Sequence, residues 1–187
     1  MISLPFRRSP RSPSIDALYG MIVAQARSPV FYDGYGVPDT VAGRFDMIVL
    51  HLALLLRQLR TVPADRQPIP IGQQIFDRFC RDMDDNFREM GMGDLAVPKQ
   101  MRRVAEAFYG RAKAYEDALA ADDALALEAA VARNVFGTAE PSLGARRLAA
   151  YIREAARGLS TNTYDAVSQA SLAFPDPEAI APPILQG

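Results

Sequence analysis

The spacing of apolar and polar positions between residues 75 and 119 predicts two amphipathic helices. In the first, apolar residues recur at steps of three and four and so form one stripe: Ile75, Phe76, Phe79, Cys80, Met83, Phe87 and Met90. The second helix has a similar stripe: Met101, Val104, Ala105, Phe108, Ala112, Tyr115 and Leu119. Charged residues occupy the other faces. The two stripes predict a helical hairpin, residues 72–120, whose apolar faces point inward.

A glycine-rich corner joins the two predicted helices. Gly91 follows the last apolar position of the first helix, where a residue with positive φ commonly ends a helix, and Gly93 continues the turn. Pro98 suits the first turn of the second helix because its φ is already helical and the N–H it lacks would have no partner there. We therefore expect Gly91 to have a positive φ.

The other helices are predicted from the same spacing and from residues that begin or end helices. The predicted starts are Ile15, Asp39 or Thr40, Asp122 or Asp123, Ser142, and Ser160 or Thr161. The corresponding ends are Pro29, Arg60, Gly137, Gly158 and Ala173. No convincing alternating pattern predicts a strand, and the prolines fall at helix ends, in loops or in tails. The sequence predicts an all-α fold, a single compact domain of about six or seven helices with a central hairpin.

Both ends of the chain differ in composition from this helical region. Residues 1–14 contain Arg7, Arg8 and Arg11 with prolines and serines and no acid, which predicts a disordered basic tail. A transit peptide is the alternative, less favoured because the segment is short and lacks an amphipathic helix. Residues 174–187 are rich in proline and predict an extended strap or tail. The helical domain is expected to span residues 15–173.

The predicted helix from Thr40 to Arg60 is apolar almost all round. One face carries Phe45, Ile48, Val49, Leu52, Leu55, Leu56 and Leu59, and the opposite side carries Met47, Leu50, His51, Leu54 and Gln58. A wedge with Asp46, Ala53, Arg57 and Arg60 is expected to face water. Such a helix is either central in the fold or half covered and available to a partner, and central burial is favoured.

Residues 29–40 are predicted to form a loop because of their glycine and proline content, yet the loop carries three aromatic residues. Large aromatic side chains are mostly buried in folded proteins. We expect Phe31, Tyr32 and Tyr35 to plug one end of the core, with a partner surface as the alternative.

Composition excludes several classes of function. The chain has 187 residues and a formal charge of −1, so no overall field favours nucleic acid, and we expect no specific nucleic-acid partner. One cysteine and one histidine leave little scope for a metal centre or a catalytic triad, so no cofactor is expected and an enzyme is the least favoured class. No apolar run approaches the roughly 20 residues that span a bilayer, although peripheral membrane contact stays open.

Two segments are similar to a known family: DGYGVPDTVAGRFDMIVLHLALLLRQL, and IFDRFCRDMDDNFREMGMGDLAVPKQMRRVAEAFYGRAKAY. Their GVPDT, GRFDM, REMG and VPK elements resemble the ubiquinol-cytochrome c chaperone family, from about Ile15 to Tyr115 and on through Ala173. The resemblance implies a non-enzymatic helical factor for assembly of the cytochrome bc1 complex (respiratory complex III) that binds newly made cytochrome b. In mitochondria it also implies a ribosome contact and a small partner protein. A bacterial, cytoplasmic protein, peripheral at the inner membrane, is favoured over a mitochondrial matrix protein.

A chaperone for a hydrophobic membrane protein needs an exposed apolar surface. The candidate patch comprises Tyr32, Tyr35, Arg44, Met47, His51 and Leu54, with Arg44 able to orient a client carboxylate or phosphate. A second candidate comprises Phe108, Tyr109 and Arg111. Gly110 lies between them, and because a glycine inside a helix lowers stability, we expect it to allow either a close helix crossing or the approach of a partner's backbone. The alternative function, a helical carrier of a lipid or quinone, needs an enclosed apolar cavity instead.

Overall fold

Helices form nearly all of the structure in the part of the chain that a computed structural model describes, residues 15–61, 71–168 and 173–180, with the backbone alone for residues 160–168. The helices are α1 Ile15–Ala26, α2 Pro29–Asp33, α3 Val41–Leu59, α4 Ile71–Glu89, α5 Val97–Ala120, α6 Ala124–Val131, α7 Leu143–Ser168 and α8 Pro177–Ile180. A π-helical turn, Ala132–Phe136, extends α6. These ranges contain no strand, so the predicted all-α class is confirmed. The predicted basic tail and residues 181–187 of the proline-rich end lie outside the described residues. The prediction of an extended strap is wrong for Pro177–Ile180, which form α8, because proline suits the first turn of a helix.

Helix α3 lies at the centre of the domain. It contacts α1, α4, α5, α7 and the π-helical turn, and both of its apolar faces are buried. The prediction of central burial is therefore confirmed. The predicted water-facing wedge is wrong in part, because Asp46 and Ala53 are 6% and 7% exposed. Spacing along one helix cannot reveal that α5 covers this side, which is why the wedge was misassigned.

The helical hairpin is formed by α4 and α5, which confirms the prediction for residues 72–120. Gly91 has φ +82°, as expected, and the chain reverses there. The Gly91 N–H donates to the Arg88 carbonyl and the Met92 N–H to the Phe87 carbonyl, the pair of bonds that defines a Schellman motif. Pro98 lies in the first turn of α5.

Side-chain caps start three of the helices where the sequence predicted. The Thr40 side chain accepts a hydrogen bond from the Gly43 N–H, the Asp123 side chain from the Ala126 N–H, and the Ser142 hydroxyl from the Ala145 N–H. Each cap satisfies a donor that the first turn of a helix leaves without a partner.

Two helix predictions are wrong. Gly158 does not end a helix, because α7 continues from Leu143 to Ser168; a glycine in a helix interior costs only about 1 kcal/mol, which a long packed helix tolerates. Residues 29–40 are not purely a loop either, since α2 forms at Pro29, where proline suits a first turn.

Candidate functional site

Four of the six residues of the first candidate patch are buried, whereas Arg44 is exposed and Tyr32 is half-buried. Tyr35, Met47, His51 and Leu54 are 0 to 3% exposed. The prediction that they form an exposed surface is therefore wrong, because α7 and residues 173–180 cover this side of α3 and Tyr35 in the segment between α2 and α3. The expectation that the aromatic residues of this segment plug the core is confirmed for Phe31 and Tyr35, and Tyr32 is half-buried.

His51 belongs to a buried hydrogen-bond network. Its Nδ1 lies 2.8 Å from the Met47 carbonyl oxygen and its Nε2 lies 2.9 Å from the Tyr151 hydroxyl. Burial lowers the pKa of His51 to about 4, so the ring is neutral at pH 7. Nδ1–H then donates to Met47, and Nε2 accepts from Tyr151. Both ring nitrogens are satisfied, so His51 has a structural role and is not a free base.

Tyr32 and Arg44 border a polar cleft of about 160 Å³, lined by Arg27, Pro29, Tyr32, Asp33, Asp39 and Arg44. Arg44 makes two bonds to Asp39, with Nε 2.6 Å from Oδ1 and Nη2 3.2 Å from Oδ2. This pairing lowers the pKa of the Asp39 carboxyl. The pairing uses Nε and Nη2 of Arg44 and leaves the N–H groups of Nη1 available, so the predicted role of Arg44 in orienting a client group stays a prediction.

The three residues of the second candidate differ in exposure. Phe108 is 3% exposed, whereas Tyr109 is 61% exposed. The Phe76 ring contacts both, with centroid distances of 4.9 Å to Phe108 and 5.7 Å to Tyr109. Tyr109 is thus the exposed end of an aromatic cluster that reaches into the core.

Arg111 forms an ion pair across the helices instead of facing a partner. Its Nη2 lies 2.8 Å from Asp46 Oδ1, and its guanidinium carbon lies 5.9 Å from the centre of the Phe45 ring. Burial raises the pKa of Asp46 to about 6, although Arg111 opposes that change. No local pattern predicts this pair, since the two residues are 65 positions apart on separate helices.

Helix α4 carries an apolar row that its neighbours cover only in part. Of its residues only Ile75 and Phe79 are buried, whereas α3, a helix of the same length, is buried along both faces. We use the term hairpin face for the wholly or partly exposed apolar residues of α4, the corner and α5. They are Phe76, Cys80, Met83, Phe87, Met90, Leu95 and Tyr109. Met90 and Leu95 are 64% and 98% exposed. Leu95 lies outside both predicted apolar stripes, and this position in the sequence indicates that it faces solvent.

Gly110 lies beside Tyr109 on the exposed side of α5. A Cβ atom added there would meet nothing within 4 Å, so a close crossing of described helices does not explain the glycine. That explanation is wrong. The approach of a partner's backbone stays a prediction.

The described residues contain no group of three or more His, Cys, Asp or Glu side chains that could hold a metal ion. None of the described helices combines the length and the apolar character needed to cross a membrane.

An all-α domain with a half-covered apolar row on a helical hairpin has the features of a helical chaperone. The model of the ubiquinol-cytochrome C chaperone family matches residues 33–174, and the chain belongs to that family. It is similar to the crystal structure of the Cbp3 homolog from Brucella abortus, with a TM-score of 0.77 and 36% sequence identity over 88% of this chain and 90% of that chain. A search of curated proteins finds no match. Family membership supports a chaperone role and a non-enzymatic one.

Proposed function

We propose that this protein is a non-enzymatic assembly chaperone of the cytochrome bc1 complex that binds newly made cytochrome b through the hairpin face. Membership of the ubiquinol-cytochrome C chaperone family supports the assembly role. The observation that carries the choice of surface is the exposure of Met90, Leu95 and Tyr109 along one hairpin. Exposed apolar residues that form a row, rather than lie scattered, commonly mark a binding surface.

The chemistry of the hairpin face suits a membrane-protein segment. Methionine side chains such as Met83 and Met90 are flexible and polarisable, so they adapt to apolar segments of different shape. Aromatic rings such as Phe76 and Tyr109 supply large contact areas at a low cost in conformational entropy. Apolar area that the client covers favours binding, offset by the translational and side-chain entropy that association costs.

Charged pairs border the row and are already satisfied within the protein. Arg88 Nε lies 2.6 Å from Asp84 Oδ2, and Arg102 Nε lies 2.9 Å from Glu106 Oε1. An apolar centre with a polar rim is the usual composition of a protein-protein interface.

Gly110→Ala tests the surface without damaging the fold. The added methyl meets no neighbour within 4 Å and replaces a glycine inside a helix, so the variant should be more stable by about 0.5 to 1 kcal/mol. If a client segment lies against the backbone at Gly110, the variant should crosslink at least several-fold less to cytochrome b while cytochrome b is being synthesised. Chemical denaturation and crosslink yield are the two measurements.

Gly20→Ala is the matched control. Gly20 is also an exposed glycine inside a helix with nothing within 4 Å of an added Cβ, but it lies on α1. It should gain similar stability and keep full crosslinking. Equal crosslinking of both variants would rule out the hairpin face around Gly110, and a wild-type protein that captures a different membrane protein would rule out cytochrome b as the client.

The alternative function, a lipid or quinone carrier, finds less support. The cleft beside α2 is lined by Arg27, Asp33, Asp39 and Arg44, and so many charges do not suit a quinone ring or an acyl chain. Purified protein that carries a small apolar molecule instead of a polypeptide would favour the carrier.

We infer further that the chaperone acts in the cytoplasm of a bacterium, at the inner membrane where a cytochrome b chain is inserted. The absence of a membrane-crossing helix among the described residues is compatible with peripheral contact. A small partner protein or the ribosome would be detected in the same crosslinking experiment, by identification of every captured chain.

A further inference from the structure

The C-terminal residues 173–180 lie in a groove whose walls come from four parts of the domain. Phe174 packs edge-on against His51 of α3, with ring centroids 5.0 Å apart, and Pro177 is buried. Helix α8, within this segment, contacts α2 and α7. Gln25 of α1 donates a hydrogen bond to the segment from the remaining side.

The hydrogen bonds that α1 and Tyr35 make to this segment go to its backbone. Gln25 Nε2 donates to the Pro175 carbonyl at 3.2 Å, and the Tyr35 hydroxyl donates to the Pro177 carbonyl at 2.8 Å. Residues 173–176 have no regular secondary structure, and the two accepting carbonyls belong to Pro175 and to Pro177, the first residue of α8. Asp176 and Glu178 are exposed, and the Asp176 side chain accepts from the Glu178 N–H within the segment. The groove thus donates hydrogen bonds to two backbone carbonyls of the segment and packs against its one aromatic ring.

The donors of the groove are also held by residues outside the segment. Gln25 Nε2 also lies 3.0 Å from the Tyr151 hydroxyl, which in turn donates to His51. The Phe31 ring packs edge-on against both Tyr35 and Tyr151, at 5.4 Å and 4.9 Å. Donors fixed by such packing lose little conformational entropy on binding.

We propose that this groove is a binding site for proline-containing polypeptide segments, and that residues 173–180 occupy it as an intramolecular ligand which a partner segment replaces. Aromatic walls with side-chain donors to carbonyls are the usual means of recognising proline-rich peptides, whose stiff backbone lacks N–H groups at proline. The ligand is a segment with an aromatic residue followed by two prolines in alternate positions, as in Phe174–Pro177. This site lies apart from the hairpin face and its test is independent of the client's identity.

Competition by a tethered ligand sets the conditions of the test. A segment joined to its own site by a short connection has an effective concentration on the order of millimolar. A free peptide therefore binds the wild-type protein weakly, and substitution in the tethered copy should strengthen its apparent binding. The full-length Phe174→Ala protein removes the ring that contacts His51 and leaves the groove intact.

A labelled peptide with the sequence of residues 173–180 is titrated into the full-length proteins, with fluorescence polarisation as readout. We expect binding to Phe174→Ala to be about tenfold tighter than to wild type. Adding Tyr35→Phe removes the donor to the Pro177 carbonyl and should weaken binding about fivefold. Tyr32→Phe is the matched control, because the Tyr32 hydroxyl donates to the Ala26 carbonyl, and it should leave peptide binding unchanged.

The wild-type protein supplies a second measurement that does not depend on the folding of a variant. A spin-labelled peptide at several times the effective concentration should broaden the NMR signals of Tyr35 and Tyr151 and spare those of Tyr109. Absence of this broadening, or equal weak binding to wild type and Phe174→Ala, overturns the proposal. Dimers of Phe174→Ala that bind no peptide would overturn it too, in favour of segment exchange between two copies.

Discussion

At the scale of single residues, two buried titratable groups affect stability in opposite directions. His51 has its pKa lowered from 6.5 to about 4 by burial, so the unfolded chain takes up its proton first as pH falls. His51 therefore lowers the free energy of unfolding as pH falls from about 6.5 to 4. Asp46 has its pKa raised from 3.8 to about 6, mainly by burial, so the folded chain takes up its proton first. Asp46 raises the free energy of unfolding as pH falls from about 6 to 3.8.

The two effects offset each other in the wild-type protein, and single substitutions separate them. Relative to wild type, Asp46→Asn should lose stability between pH 6 and 4, and His51→Gln should gain it. One pKa unit corresponds to about 1.4 kcal/mol, so each change with pH should reach about 2 to 3 kcal/mol. Urea unfolding at pH 4.5, 6 and 7.5 measures the three profiles. Parallel profiles would contradict the assignment, because exposed carboxylates are common to all three proteins and cancel in the comparison.

At the scale of elements, the corner of the hairpin depends on one backbone conformation. Gly91 has φ +82°, whereas Gly93 two residues later has no such φ, and an added Cβ meets nothing within 4 Å at either position. Gly91→Ala should therefore lose about 1 to 2 kcal/mol from left-handed strain alone. Gly93→Ala should be neutral or gain up to about 1 kcal/mol, because alanine restricts the unfolded chain. The midpoints of denaturant unfolding distinguish the two, and equal midpoints would contradict the role of the corner.

Elements were predictable from sequence where local spacing determines them, and less so where neighbouring helices do. The α4–α5 hairpin and the caps at Thr40, Asp123 and Ser142 depend on residues close in sequence, and they were predicted. The continuation of α7 through Gly158 was not, because packing along the helix outweighs the small cost of one glycine.

The same distinction explains the candidate site. A helix apolar all round, such as α3, and a helix with one stripe, such as α4, both fit a core position or a binding surface. The difference lies in how many neighbours reach each helix: α3 is surrounded, whereas the row from Phe76 to Met90 is covered only in part. Contacts between residues distant in sequence, such as Asp46 with Arg111, leave no pattern that spacing can detect.

At the scale of the whole molecule, stability and client binding are expected to reside in different helices. Met47 of α3 is fully buried, and truncation of such a side chain leaves a cavity that typically costs about 2 to 5 kcal/mol. Met90, at the end of α4, is 64% exposed and loses little burial when truncated. Met47→Ala should therefore lower the free energy of unfolding by that amount, whereas Met90→Ala should change it by less than about 0.5 kcal/mol.

Client capture should show the reverse order, which makes the two methionines a matched pair. Met90→Ala should reduce crosslinking to newly made cytochrome b, because the truncated side chain loses contact area with the client. Its unfolding curve should match that of wild type, because the side chain makes few contacts within the folded protein. Met47→Ala, assayed at a temperature where it is still folded, should crosslink as wild type does, because its side chain contacts no client. A Met47→Ala protein that stays stable and loses capture would place the binding surface on α3, and the hairpin face would then be wrong.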